Sequence, residues 1–114
     1  MKYKYNSYPD HTIVLLEGLF IGGEEIDKLY LFIQEQIQNG ATKIILDLEK
    51  VSYISSMMIG LLIKLNDEII DKTGKFVLCN ASKEILEVLK ITGVHLVLSI
   101  FDSRQKAIEQ VTVC

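Results

Sequence analysis

The chain has 114 residues, 49% of them apolar, and a formal charge of −3. A chain of this size can bury a core without disulfide or metal staples, so one domain, 1–114, is expected. Charges of both signs are spread along it with no basic cluster, which argues against a nucleic-acid partner.

Lys2 to Tyr5 alternates polar and aromatic residues and reads as a short edge strand, its lysines discouraging further pairing. Tyr8-Pro9-Asp10-His11 is a turn signal, and Thr12 to Glu17 is a β-branched-rich strand ending at Gly18. Leu19 to Gly23 reads as a loop, apolar where a solvated loop would be polar. Glu24, Glu25 and Asp27 then place negative charge in the first turn of a helix, where the backbone dipole favours it. Ile26, Leu29, Tyr30, Ile33 and Ile37 recur at three and four along that helix, and Asn39-Gly40 closes it.

Lys43 to Leu48 is a nearly continuous apolar run, the pattern of a central strand covered on both faces. Glu49-Lys50 interrupts it, and Val51 to Ile54 is extended again. A helix is expected from Ser56 to Lys72, with Gly60, Lys64, Asp67 and Asp71 on one face and apolar residues over the rest. Thr73-Gly74 ends it, and Lys75 to Cys79 is the next strand. Asn80-Ala81-Ser82 caps a helix with Ile85, Leu86, Val88, Leu89 and Ile91 inward, stopped by Thr92-Gly93. Leu96 to Phe101 reads as a short strand, and Asp102 with Gln105 resembles a capping box for a last helix carrying Ala107, Ile108 and Val111. The order β-β-α-β-α-β-α-β-α predicts an α/β domain, a mixed and mostly parallel sheet of about five strands packed with about four helices.

Few residues offer chemistry. Cys79 and Cys114 form no metal-ligand pattern, and His11 and His95 have no acidic or thiol neighbours at ligand spacing, so neither metal nor cofactor is expected. The phosphate-binding patterns GxxxxGK[ST] and GxGxxG are absent; Gly22-Gly23 is a faint echo, and Glu24-Glu25 would repel phosphate there. Ser56 sits at a strand-to-helix junction as a nucleophile would, but its flanks are Ile54-Ser55 and Met57-Met58 rather than the glycines of an elbow. No enzyme is expected. The longest uncharged apolar run, Met57 to Ile63, falls short of the roughly 20 residues that cross a bilayer. The N-terminal stretch lacks the apolar segment of a secretory signal, so a cytoplasmic protein with no membrane partner is expected.

What stands out is the hydroxyl pair Ser55-Ser56 at a helix start. One serine serves as the N-cap. The other can project its hydroxyl outward, and a phosphate there would sit at the positive end of a helix. The same charge would spoil a partner surface made of the apolar neighbours.

From Leu46 to Ser56 the sequence LDLEKVSYISS resembles the central motif of STAS domains, the anti-sigma factor antagonist family. The resemblance continues through Gly60-Leu61-Leu62, Gly74 to Leu78, Ile85 to Gly93 and Ile100 to Ser103, covering nearly the whole chain. It implies a regulator that binds an anti-sigma factor of the serine-kinase type, frees the sigma factor and so controls transcription in a bacterium. It also implies that phosphorylation switches the regulator off. The matching acceptor is Ser56, with Ser55 the second candidate.

The family's aspartate becomes Ser55 here, its second hydroxyl residue Met57 and its glycine Met58. Gly18-Leu19-Phe20-Ile21 also replaces acidic residues of the first loop. Phe20, Ile21, Ser55, Ser56, Met57 and Met58 are therefore the expected partner-binding set, with an exposed apolar patch built from Phe20, Ile21, Met57 and Met58. The competing reading packs Phe20 on Met58 beneath the loop. Alternatives to the phospho-switch are a protein-binding module, constitutive or dimeric, that uses the patch without phosphorylation, and a small-ligand binder; a weak homodimer is also among the expected partners.

Overall fold

A computed structural model describes residues 2–20 and 22–112. Its elements are β1 (Lys2–Tyr8), β2 (His11–Phe20), α1 (Gly23–Gln38), β3 (Lys43–Ile54), α2 (Ser56–Asp71), β4 (Lys75–Cys79), α3 (Lys83–Ile91), a 3₁₀ turn (Val94–Leu96), β5 (Ser99–Phe101) and α4 (Arg104–Thr112). The sheet order is β1-β2-β3-β4-β5. β1 runs antiparallel to β2, and every other neighbouring pair is parallel. This is the mixed α/β sheet the element order predicts.

Two layers of side chains explain why β3 reads as an unbroken apolar run. Ile44, Leu46 and Leu48 pack with Ile26, Leu29 and Ile33 of α1, with Leu62, Leu65 and Ile69 of α2, and with Ile85 and Leu89 of α3. Ile45 points the other way and joins Ile13, Val77 and Cys79 against Ala107 and Val111 of α4. Alternate residues of one strand thus enter two cores. The turn before β4 is held tightly: the Lys75 N–H donates to the Thr42 carbonyl at 2.7 Å. A Cβ on Gly74 would stand 2.1 Å from that same oxygen, so only glycine fits.

Several expected boundaries move, each for a local reason. β2 does not stop at Gly18 but runs on through Leu19 and Phe20. Gly18 adopts φ 106° and marks a register shift, a bulge rather than a strand end. The Ser52 hydroxyl donates to the Gly18 carbonyl at 3.3 Å and ties the bulge to β3. Glu49-Lys50 likewise does not break β3, which is continuous to Ile54; both residues are exposed where the partner strand shifts register. The apolar run Leu96 to Phe101 gives only a three-residue strand, because the 3₁₀ turn consumes its start. The last helix is capped by Ser103, whose hydroxyl accepts the Lys106 N–H at 3.1 Å. Asp102 instead pairs with the Lys106 ammonium at 3.0 Å.

Candidate functional site

The bulged β2–β3 pair continues toward the carboxyl ends of the strands, beyond the end of β4. Leu19 pairs with Tyr53 and Phe20 with Ile54. The ladder then ends on the helix start, where the Ser55 N–H donates to the Phe20 carbonyl at 2.9 Å. This bond fixes the first turn of α2 against the end of β2. In open α/β sheets the carboxyl ends of the strands are the usual place for binding.

The two serines divide the work. Ser55 is the N-cap, extended at φ −93° and ψ 172°, and its hydroxyl accepts the Met58 N–H at 3.4 Å. Ser56 is the first helical residue and is exposed, and its hydroxyl makes no hydrogen bond among the described residues. It is surrounded by positions whose neighbours in sequence face opposite ways. Phe20 and Met58 are wholly buried, and Ile54 nearly so. Leu19, Tyr53 and Met57 are about half exposed, at 50%, 50% and 53%.

The expected patch is therefore corrected. Phe20 and Met58 belong to the main core and present no surface to a partner; strand alternation and the helical turn send both inward. Met58, being buried, also adds no bulk at the surface beside the Ser56 hydroxyl. Ile21 lies outside the described residues, as does Cys114. Of the predicted binding set, the structure brings Ser55, Ser56 and Met57 together at the surface. It adds Leu19 and Tyr53, which sequence reasoning had placed in a loop and a strand without a role. The signal that could have found them is the parallel register, which sets Leu19 beside Tyr53 once β2 is extended past Gly18.

Met57 also links two helix starts. A Cβ on Gly23 would stand 3.3 Å from the Met57 Cε, so the methionine lies across the first turn of α1. The N-terminus of α1, capped by Gly22 without a side-chain bond, thus lies beside that of α2. Two helix starts close to Ser56 make its surroundings receptive to negative charge, while the exposed Glu24 and Glu25 oppose it. Farther down, α1 and α2 are pinned by Tyr30, which donates to Glu68 at 2.5 Å while Gln34 donates to the Tyr30 oxygen at 2.6 Å. Desolvation, then the Glu68 carboxylate, holds Tyr30 above its ordinary pKa.

A second polar cluster went unnoticed in the sequence, although its signal was a lone charge inside KIILDL. Asp47 is fully buried on the α4 side of β3. The Arg104 Nη2 and Nε donate to its Oδ2 at 2.7 and 2.9 Å. The Asn80 amide donates at 3.2 Å and the Glu49 N–H at 3.0 Å, both to Oδ1. Every lone pair has a partner, so the cluster docks α4 and has no capacity left for a ligand. Burial, reinforced by Asp47, pushes the neighbouring Cys79 thiol up to about 12, which keeps it protonated and inert. Among the described residues, no helix is long and apolar enough to cross a membrane.

Comparison with known proteins agrees with this architecture. A family model of the STAS domain matches residues 4–107. A protein of Bordetella bronchiseptica named as the anti-sigma factor antagonist BtrV is 24% identical over 94% of this chain and 91% of its own. One of Thermotoga maritima, named likewise, is 27% identical over 90% of this chain and 91% of its own. Among solved structures, unphosphorylated SpoIIAA, an anti-sigma factor antagonist, superposes with a TM-score of 0.82 at 20% identity, covering 96% of both chains. The phosphorylated form of Bacillus SpoIIAA superposes with a TM-score of 0.75 over 96% of this chain and 99% of that one, also at 20% identity. With the family pattern matched from the edge strand to the last helix, the chain belongs to the STAS domain family.

Proposed function

We propose that this protein is an anti-sigma factor antagonist that acts by binding, with no catalytic step of its own. Its partner is an anti-sigma factor of the serine-kinase type in the bacterial cytoplasm. Capture of that partner frees a sigma factor for transcription, and phosphorylation of Ser56 ends the capture. The names of the relatives support an anti-sigma factor as the partner. The observation that carries the switch is the division of labour at the start of α2: Ser55 caps the helix, which leaves the exposed Ser56 hydroxyl free to react.

The physical consequence of a phosphate follows from its surroundings. It adds a charge of about −1.5 to −2, which the free N–H groups of the helix start can accept without unfolding the helix. The same charge lies among Leu19, Tyr53 and Met57, so a partner that buries these side chains must also strip water from a dianion. Binding is lost while the fold persists.

Incubation with the cognate kinase and ATP, followed by intact-mass and peptide analysis, tests this reading. One phosphate on Ser56 with release of the partner is expected. Ser56→Ala should take no phosphate and keep its affinity, whereas Ser56→Asp should weaken binding by roughly tenfold or more, about 1.4 kcal/mol. Full affinity without any phosphate transfer would favour a second reading. In that reading the half-exposed trio Leu19, Tyr53 and Met57 docks the partner constitutively.

A further inference from the structure

The longest open edge of the sheet is β1, seven residues that pair with β2 on one side only. Its hairpin register settles which backbone groups face outward. Tyr8 pairs with His11 across the two-residue turn, and such a turn closes on a hydrogen-bonded pair. Hydrogen-bonded pairs then alternate back along the strand at Asn6 and Lys4. The N–H and C=O groups of Tyr3, Tyr5 and Ser7 therefore point away from β2, into solvent.

We infer that β1 is the contact between two copies of this chain, joined antiparallel about a two-fold axis at Tyr5 into one continuous sheet. The inference is independent of phosphorylation and of the surface around Ser56. A second copy fits this edge because the strand is complementary to itself. With Tyr5 opposite its own copy, Tyr3 meets Ser7, so the three residues with outward backbone groups bond one another. Lys4 meets Asn6 rather than another lysine, so the charges that guard the edge do not clash in this register. Side chains agree. The Tyr5 ring is 49% exposed and already lies 4.8 Å from Phe32 of α1, with Tyr3 at 4.5 Å. The two-fold would stack Tyr5 on its copy and complete an aromatic row, Phe32–Tyr5–Tyr5–Phe32, that covers the exposed ring.

Charge on α1 is complementary too. Phe32 places α1 over β1 near the axis. The exposed Lys28 and Glu35 flank it by one turn on either side, so the two-fold brings Lys28 of one copy toward Glu35 of the other.

Sedimentation velocity over a concentration series of the full chain tests this. A concentration-dependent dimer is expected, and a monomer at every soluble concentration overturns the proposal. Tyr5→Lys puts like charges across the axis and should weaken association by roughly tenfold or more; an unaffected dimer would exclude this edge. Glu35→Lys, on an exposed helical position that cannot unfold the chain, should weaken association as well, and adding Lys28→Glu should restore it. A Glu35→Lys variant that dimerises like the parent also overturns the proposal. In a Cys114→Ser background, Tyr5→Cys should oxidise to a disulfide-linked dimer, since Cα atoms of a hydrogen-bonded antiparallel pair lie about 5.5 Å apart, within disulfide reach. Ile91→Cys, more exposed still but on α3, should give no disulfide-linked dimer on oxidation; cross-linking there instead of at position 5 would place the contact elsewhere.

Discussion

The inner and outer sides of the lip that carries Ser56 are built from the same kinds of residue. Phe20, Ile54 and Met58 line the inside, and Leu19, Tyr53 and Met57, each one step earlier in the chain, line the outside. Hydrophobicity does not separate the two sets; position in the pleat and in the helical turn does. The inner three weld the ends of β2 and β3 to α2, and so hold the Ser56 backbone in place. The outer three leave roughly half of each residue to water, with nothing among the described residues to cover it. One set supplies rigidity and the other supplies a surface, and a partner needs both.

The contrast is broken most severely from the inside. Phe20 is one of the largest fully buried side chains, so Phe20→Ala leaves a cavity where the strand pair meets the helix. A loss of about 3–5 kcal/mol is expected in urea or thermal unfolding, since a vacated aromatic site collapses only in part. Partner affinity should fall only as far as the folded fraction falls, and stabilising the protein with an osmolyte should bring both back together.

From the outside the same experiment should invert. Met57→Glu touches a side chain that is 53% exposed, so the unfolding midpoint should move little, within about 0.5 kcal/mol. Calorimetric titration with the partner should show a loss of roughly tenfold or more, because the new carboxylate must be desolvated at the contact. A Met57→Glu chain that binds normally would mean the outer trio is ordinary surface apolarity. A Met57→Glu chain that unfolds would mean the lip has no separate outside.

How much of this was legible in the sequence follows the same division. The helices were visible in the three-and-four spacing of residues such as Ile26, Leu29 and Ile33, and β3 in its unbroken apolar run, because each depends on local period alone. The helix start at Ser55-Ser56 was legible for the same reason, since a serine pair before a helical pattern is a local signal. The face of Phe20 was not. It depends on Gly18 acting as a bulge rather than as a stop, and a bulge is defined only by the partner strand across from it. Asp47 escaped notice for an equally non-local reason. Its side-chain partners Asn80 and Arg104 lie 33 and 57 residues away, and the one local donor, the Glu49 N–H, is a backbone group that no residue identity announces.

The smallest expected effect divides the two adjacent serines. Ser55→Ala removes the acceptor for the Met58 N–H, and loss of an N-cap costs about 0.5–2 kcal/mol. Here the bond is long at 3.4 Å, and the Ser55 N–H remains tied to the Phe20 carbonyl, so the lower end, about 0.5 kcal/mol, is expected. Ser56→Ala removes a hydroxyl with no partner among the described residues and should leave the melting curve where it was. Their order should reverse in the phosphorylation assay, where Ser55→Ala still accepts phosphate at Ser56 and Ser56→Ala accepts none. A pair that behaved alike in both assays would show that capping and acceptance are not divided between them. The free hydroxyl at the outer edge of the lip would then lose its distinction from the bonded one beside it.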